Sequence, residues 1–92
     1  MNPQKDRDYE DLFHTAIKKM DDFLEGYKNK IEGAKDTMTI ARESRHLDGK
    51  IVNLINNFQR NCSEMEGYDQ REKRLLSRQQ EIIDILFKDV GL

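Results

Sequence analysis

The chain has 92 residues, enough for one domain, and 37% of them are Asp, Glu, Lys or Arg against 36% apolar. One Pro and five Gly leave few places to turn, which argues against a sandwich, a barrel or any fold of many short strands. The charges sum to −2, so the large net charge that accompanies disorder is missing, and a small all-α protein is expected.

Along the first third, Tyr9, Leu12, Phe13, Ala16, Ile17, Met20, Phe23, Leu24, Tyr27 and Ile31 recur at steps of three and four. That spacing is one face of a helix about 28 residues long. Asn2 before Pro3 reads as a cap and first-turn pair, since Pro lacks the N–H that would be orphaned there. Asp6, Asp8, Glu10 and Asp11 suit the positive end of the helix dipole. Gly26 falls inside the stripe and costs about 1 kcal/mol relative to Ala. Glu32-Gly33-Ala34-Lys35-Asp36-Thr37 is the first break. Gly33 can take the left-handed conformation that closes a helix, and Asp36 or Thr37 can accept from the free N–H groups of the next one. Ala34 and Met38 would also continue the first stripe, so an unbroken helix through Gly33 is the alternative.

A second stripe follows through Ile40, Ser44, Leu47, Ile51, Leu54, Phe58, Cys62 and Met65, widened by Val52 and Ile55. Its steps are close to a heptad repeat with one irregularity near Cys62. Gly67 is expected to end this helix, and Asp69 with Glu72 three residues on resembles a capping box for the third. The third helix carries Leu75, Leu76, Ile82, Ile83, Leu86 and Val90 inward, with Gln79 on the seam. The expected helices therefore cover about 3–32, 37–66 and 69–90. Short loops between long helices force antiparallel neighbours, and the stripes hold roughly 25 core side chains. The predicted fold is one antiparallel, elongated three-helix bundle running up-down-up.

Function classes narrow quickly. Cys62 is alone, so no intramolecular disulfide forms and a reducing compartment fits best. No apolar stretch follows the N-terminus to make a secretory signal, and Ile82–Phe87, the densest apolar window, is too short to span a bilayer. The expected setting is the cytoplasm, without membrane insertion by these residues. Glu43 and His46 have the Glu-x-x-His spacing of carboxylate-bridged di-metal bundles, but such sites need a second copy and two further inward carboxylates. His14 offers only Glu10 and Asp11 nearby, so no metal site is assigned. Cys62 lies on the apolar stripe, and its neighbours Asn61, Ser63 and Glu64 lower no thiol pKa, so a buried structural cysteine is expected rather than a nucleophile. With no Gly-rich phosphate loop and no triad spacing, neither an enzyme nor a bound cofactor is expected. Arg71, Lys73, Arg74 and Arg78 form a basic cluster, interrupted by Asp69, Glu72 and Glu81 and lacking aromatic residues for base stacking. A solvated face with intrahelical ion pairs is expected there, not a nucleic-acid surface.

What survives is a surface. Three long helices leave a side able to accept a fourth, as an amphipathic helix seated in a groove, and Tyr9, Phe87, Ile85 and Val52 lie at the stripe edges where such a groove would be lined. Two segments, Asp48-Gly49-Lys50-Ile51-Val52-Asn53-Leu54 and Asp69-Gln70-Arg71-Glu72-Lys73-Arg74-Leu75-Leu76, add a family likeness. The chain resembles the N-terminal, Habc-type regulatory domain of a SNARE, most nearly of the Qc class. That resemblance implies a three-helix domain that binds its own SNARE helix, or tethering and sorting factors, on the cytosolic face of Golgi or endosomal membranes. It also implies a further heptad segment, with a central Gln or Arg layer and usually a membrane anchor, beyond a domain that would not itself drive fusion. The alternative is a dimeric coiled-coil subunit or adaptor of a larger helical assembly.

Overall fold

The computed structural model describes residues 3–34 and 36–91, with side chains from Asp8 onward. Asn2, the expected first cap, lies outside the described residues, as does Lys35 of the first break. Three α-helices follow one another: α1 (Pro3–Ile31), α2 (Thr37–Cys62) and α3 (Tyr68–Val90). They form an antiparallel up-down-up bundle measuring 53 × 20 × 15 Å. Its radius of gyration is 15.2 Å, against about 12 Å for a globular chain of this length. The rod shape follows from helix length, since α1 alone runs about 43 Å.

Gly33 closes α1. Its φ is +80°, and the Ala34 N–H turns back to the Ile31 carbonyl at 2.9 Å. The unbroken helix through Gly33 is therefore not what forms. Asp36 then caps α2, its carboxylate accepting from the Met38 N–H and the Thr39 hydroxyl, both at 2.9 Å. The Thr39 hydroxyl and the Met38 N–H hold the Asp36 carboxyl below its usual range.

The second turn departs from expectation. α2 stops at Cys62 rather than near residue 66, and the Met65 N–H closes a tight turn onto the Cys62 carbonyl at 3.0 Å. Met65 still reaches the core, only 6% exposed, from this non-helical position. Gly67 does not end α2 but opens α3, in the left-handed conformation at φ +75° and with no side-chain cap. Asp69 is thus within the first turn of α3 and not its cap. Glu72 spends its carboxylate on the Tyr68 hydroxyl at 2.7 Å and the Gln59 amide at 3.0 Å, so the expected capping box does not form. At the far end Gly91, again left-handed, donates its N–H to the Phe87 and Lys88 carbonyls.

The core is a single column. Phe13, Met20, Leu24 and Tyr27 of α1 meet Leu47, Ile51, Ile55 and Phe58 of α2 and Leu75, Ile82 and Leu86 of α3. Fewer side chains are fully buried than the stripes carry, because three narrow helices enclose one axis and leave each stripe's edges at the rim. Ile55 rather than Leu54 takes the core position, and Leu76 is 40% exposed although Leu75 is sealed. Both follow from helix geometry: adjacent residues point about 100° apart, so one of each pair is sealed while the other falls at the rim.

One end of the column is aromatic. Phe58 stacks on Tyr68 with centroids 5.6 Å apart and meets Phe13 at 5.9 Å. The other end is polar: Tyr27 of α1 donates its hydroxyl to Asp89 of α3 at 3.0 Å and lies 3.1 Å from the Ser44 hydroxyl of α2. Because the single phenolic proton goes to the carboxylate, Ser44 donates to the Tyr27 oxygen. All three helices are tied at this point.

Candidate functional site

The residues that carried chemical possibilities are mostly absorbed into the fold. Glu43 and His46 share the α1–α2 side of the bundle, where they flank Tyr27 and Lys30. The Glu43 carboxylate faces Lys30 at 3.7 Å and Arg42 at 3.9 Å, so cations occupy the side a metal would need. Among the described residues no group of three His, Cys, Asp or Glu side chains converges as a metal-binding set. His14 is on the opposite flank of α1, its Nε2 3.6 Å from Glu10. Cys62 is fully buried, and burial pushes its thiol pKa up, away from the thiolate a nucleophile requires.

The basic cluster opening α3 reaches across to α1. Arg71 pairs with Glu10, and Arg78 clasps Asp21 at 2.7 Å while also holding Glu81 of its own helix at 2.7 Å. The guanidinium groups of Arg71 and Arg74 stand 6.0 and 5.7 Å from the centroid of the Phe13 ring. Ion pairing within the helix, the sequence expectation, accounts for only the Arg78–Glu81 link; the others join α1 to α3. The reason lies in the packing, since α1 and α3 touch least of the three helix pairs. Long charged side chains bridge that seam.

The four edge residues proposed as a groove lining do not converge. Tyr9 and Ile85 pack partly buried against the core. Val52 and Phe87 are 37% and 53% exposed. Phe87 and Ile85 are two residues apart on one helix, about 200° around its axis, and cannot line the same groove.

A different groove is present, between α1 and α2 on the side away from α3. Its larger hollow, of about 190 Å³, has a floor of Leu12, Ala16, Leu54, Phe58 and Cys62 and a rim including Lys19, Asn57 and Asn61. A second, smaller hollow of about 80 Å³ lies further along the same two helices, beside Phe23, Gly26 and Lys30. Leu12, counted on the inner stripe, is 47% exposed here. Sequence reading missed this groove because Leu12 and Leu54 fit their stripes as well as true core residues do. The signal that could have marked it is Gly26, a helix-interior glycine beside the stripe edge.

No protein-family model, curated protein or solved structure matches the chain. Among the described residues, no helix is long and apolar enough to cross a membrane.

Proposed function

We propose that this chain is a non-enzymatic protein-interaction domain whose long helical faces receive an amphipathic helix from a partner. The observation that carries the reading is the placement of large apolar side chains. Leu12, Val52, Leu76 and Phe87 remain 37–53% exposed along the sides of a bundle whose core is already closed. Scattered apolar exposure is ordinary, but Leu12 opens onto the hollow between α1 and α2 beside Leu54 and Phe58, and a hollow between two long helices is the geometry that helix-in-groove recognition uses. The reactive side chains support the same reading, since Cys62 is sealed, Glu43 is paired with cations, and Arg71 and Arg78 are engaged in bridges.

The more specific form of the proposal is the regulatory N-terminal domain of a SNARE, acting in vesicle traffic at Golgi or endosomal membranes. An elongated antiparallel three-helix bundle is what that family resemblance requires. The dimeric coiled-coil subunit is the second reading, supported by the near-heptad spacing of α2 and set against the turn at Gly33, which returns the chain onto itself.

Photo-crosslinkers placed one at a time at Leu12, Val52, Leu76 and Phe87 in cells test the interaction reading. The expected product is one partner, linked from neighbouring positions through a peptide of amphipathic helical sequence. Yields no higher than from crosslinkers on the charged surface, at Lys18 or Glu25, would refute it. The SNARE form is tested separately by sequencing the parent transcript past the codon for Leu92. A following heptad segment with a central Gln supports it, and a stop codon there rules it out.

A further inference from the structure

We propose that the α1–α2 groove is the docking surface, and that its occupant is a helix with an apolar stripe flanked by acidic residues. This inference rests on the interaction-domain reading and assigns that reading a face and a partner chemistry. The floor is apolar at Leu12, Leu54 and Phe58, and the hollows extend along α1 from Leu12 to Lys30. That distance, about 27 Å, matches a helix of about 18 residues. An extended peptide would lay unpaired backbone N–H and C=O groups on an apolar floor between helices, which have no strand edge to pair with them; a helix satisfies those groups internally.

Charge selects the partner's flank. The groove is lined by the cations Lys19, Lys30 and Lys50 and by the anions Asp22 and Glu43. Glu43 already faces Lys30 and Arg42. Among the described residues Lys19 and Lys50 have no ion-pair partner, and Lys50 rests over the Phe23 ring with its Nζ 5.1 Å from the centroid. Against one carboxylate without an ion pair, Asp22, the rim therefore presents two ammonium groups without one to an incoming helix.

Gly26 supplies an independent observation. It sits in the interior of α1 and lines the groove, and a Cβ built on it would meet nothing within 4 Å. Its φ is not positive, so neither backbone conformation nor packing within the chain calls for glycine there. A helix-interior glycine is nevertheless costly relative to alanine. A partner backbone crossing close to α1 at this point gives the missing side chain a use. Gly49 is equally open but lines neither hollow.

The test is an amide-shift titration of the isotope-labelled chain with two synthetic peptides of about 18 residues. Both carry the same Leu stripe at helical spacing, one flanked by Glu and the other by Lys. The expected shifts cluster at Thr15, Lys19, Gly26, Lys50 and Asn57, with the Glu-flanked peptide binding about 10-fold tighter than the Lys-flanked one. The double variant Lys19→Glu/Lys50→Glu is expected to reverse that preference. Gly26→Leu should keep or raise the melting temperature, because it improves helix propensity, yet weaken peptide binding about 10-fold by filling the groove. Shifts centred on Leu76 and Phe87 would overturn the groove while leaving the interaction-domain reading standing. Equal affinity for both peptides would overturn the acidic flank, and no shifts at millimolar peptide would overturn the docking surface altogether.

Discussion

Replacing Tyr27 by Phe removes one oxygen atom from the point where all three helices meet. In the folded chain that oxygen donates to Asp89 at 3.0 Å and lies 3.1 Å from its donor, Ser44. The phenol ring is 3% exposed and Ser44 7%, so water cannot readily replace the lost partner at Ser44. Asp89 lies on the exposed surface and regains hydration. The loss therefore falls mainly on the Tyr27–Ser44 bond, about 1–2 kcal/mol for a buried hydroxyl left without its acceptor. Ser44 can recover part of this by turning to the carbonyl one helical turn earlier, which sets the expected value near 1 kcal/mol. For a domain of this size that corresponds to a fall of about 4–8 °C in melting temperature. Urea denaturation followed by circular dichroism reads the change, and the double variant Tyr27→Phe/Ser44→Ala should be less destabilised than the sum of the singles. A Tyr27→Phe protein that unfolds at the wild-type midpoint would show that the three-helix tie carries no net energy, and the reasoning would fail.

Other perturbations probe the remaining structure. Leu75 is completely buried in the N-terminal half of α3, so Leu75→Ala should cost about 2–5 kcal/mol by opening a cavity; a loss under about 1 kcal/mol in the same denaturation assay would place that side chain outside the core. Gly33→Ala tests the first turn, where the left-handed φ of +80° with open space around it makes the cost purely conformational, about 1–2 kcal/mol. An unchanged urea midpoint would mean that α1 does not close there. The Tyr68 hydroxyl, donating to Glu72, has its pKa pushed up to about 12 from 10.0. The folded state therefore holds this proton more tightly than the unfolded chain does. Its stabilisation is complete below about pH 10 and is lost as the pH rises through about 12, and the buried Tyr27, also raised, acts in the same direction. Alkaline titration of stability should show a shallower decline in Tyr68→Phe, and identical slopes would refute the assignment. Finally, the closed core predicts a monomer with a cooperative melt, whereas a dimer at micromolar protein in equilibrium sedimentation would favour the coiled-coil reading.

The legibility of the fold differs from element to element. The end of α1 and the start of α2 could be read because Gly33 and Asp36 act through their own backbone and immediate neighbours. The end of α2 could not, because Met65 belongs to the apolar periodicity yet reaches the core from a turn. A stripe records which side chains face inward and not whether the backbone carrying them is helical. Asp69 and Glu72 had capping-box spacing, but Glu72 found stronger partners in Tyr68 and Gln59, the latter on another helix. The charged face of α3 was legible as charge and not as connection, since Glu10 and Arg71 are 61 residues apart in sequence and only the bundle brings them together. The groove was hidden for a related reason: Leu12 and Leu54 satisfy the helical period, and their exposure depends on where the neighbouring helices stop covering them.

Helix content and the candidate turns at Gly33 and Gly67 were determined by the sequence itself, because periodicity, turn glycines and short connections act over one or two turns of chain. Tertiary structure decided the rest. Adjacent residues point about 100° apart around a helix, and only the packed bundle settles which of them, Ile55 or Leu54, Leu75 or Leu76, is sealed from water. It likewise settles which charges meet across the loosely packed α1–α3 seam and which apolar side chains are left to line the α1–α2 groove. These outcomes depend on the distance between helices, a quantity that no local pattern encodes.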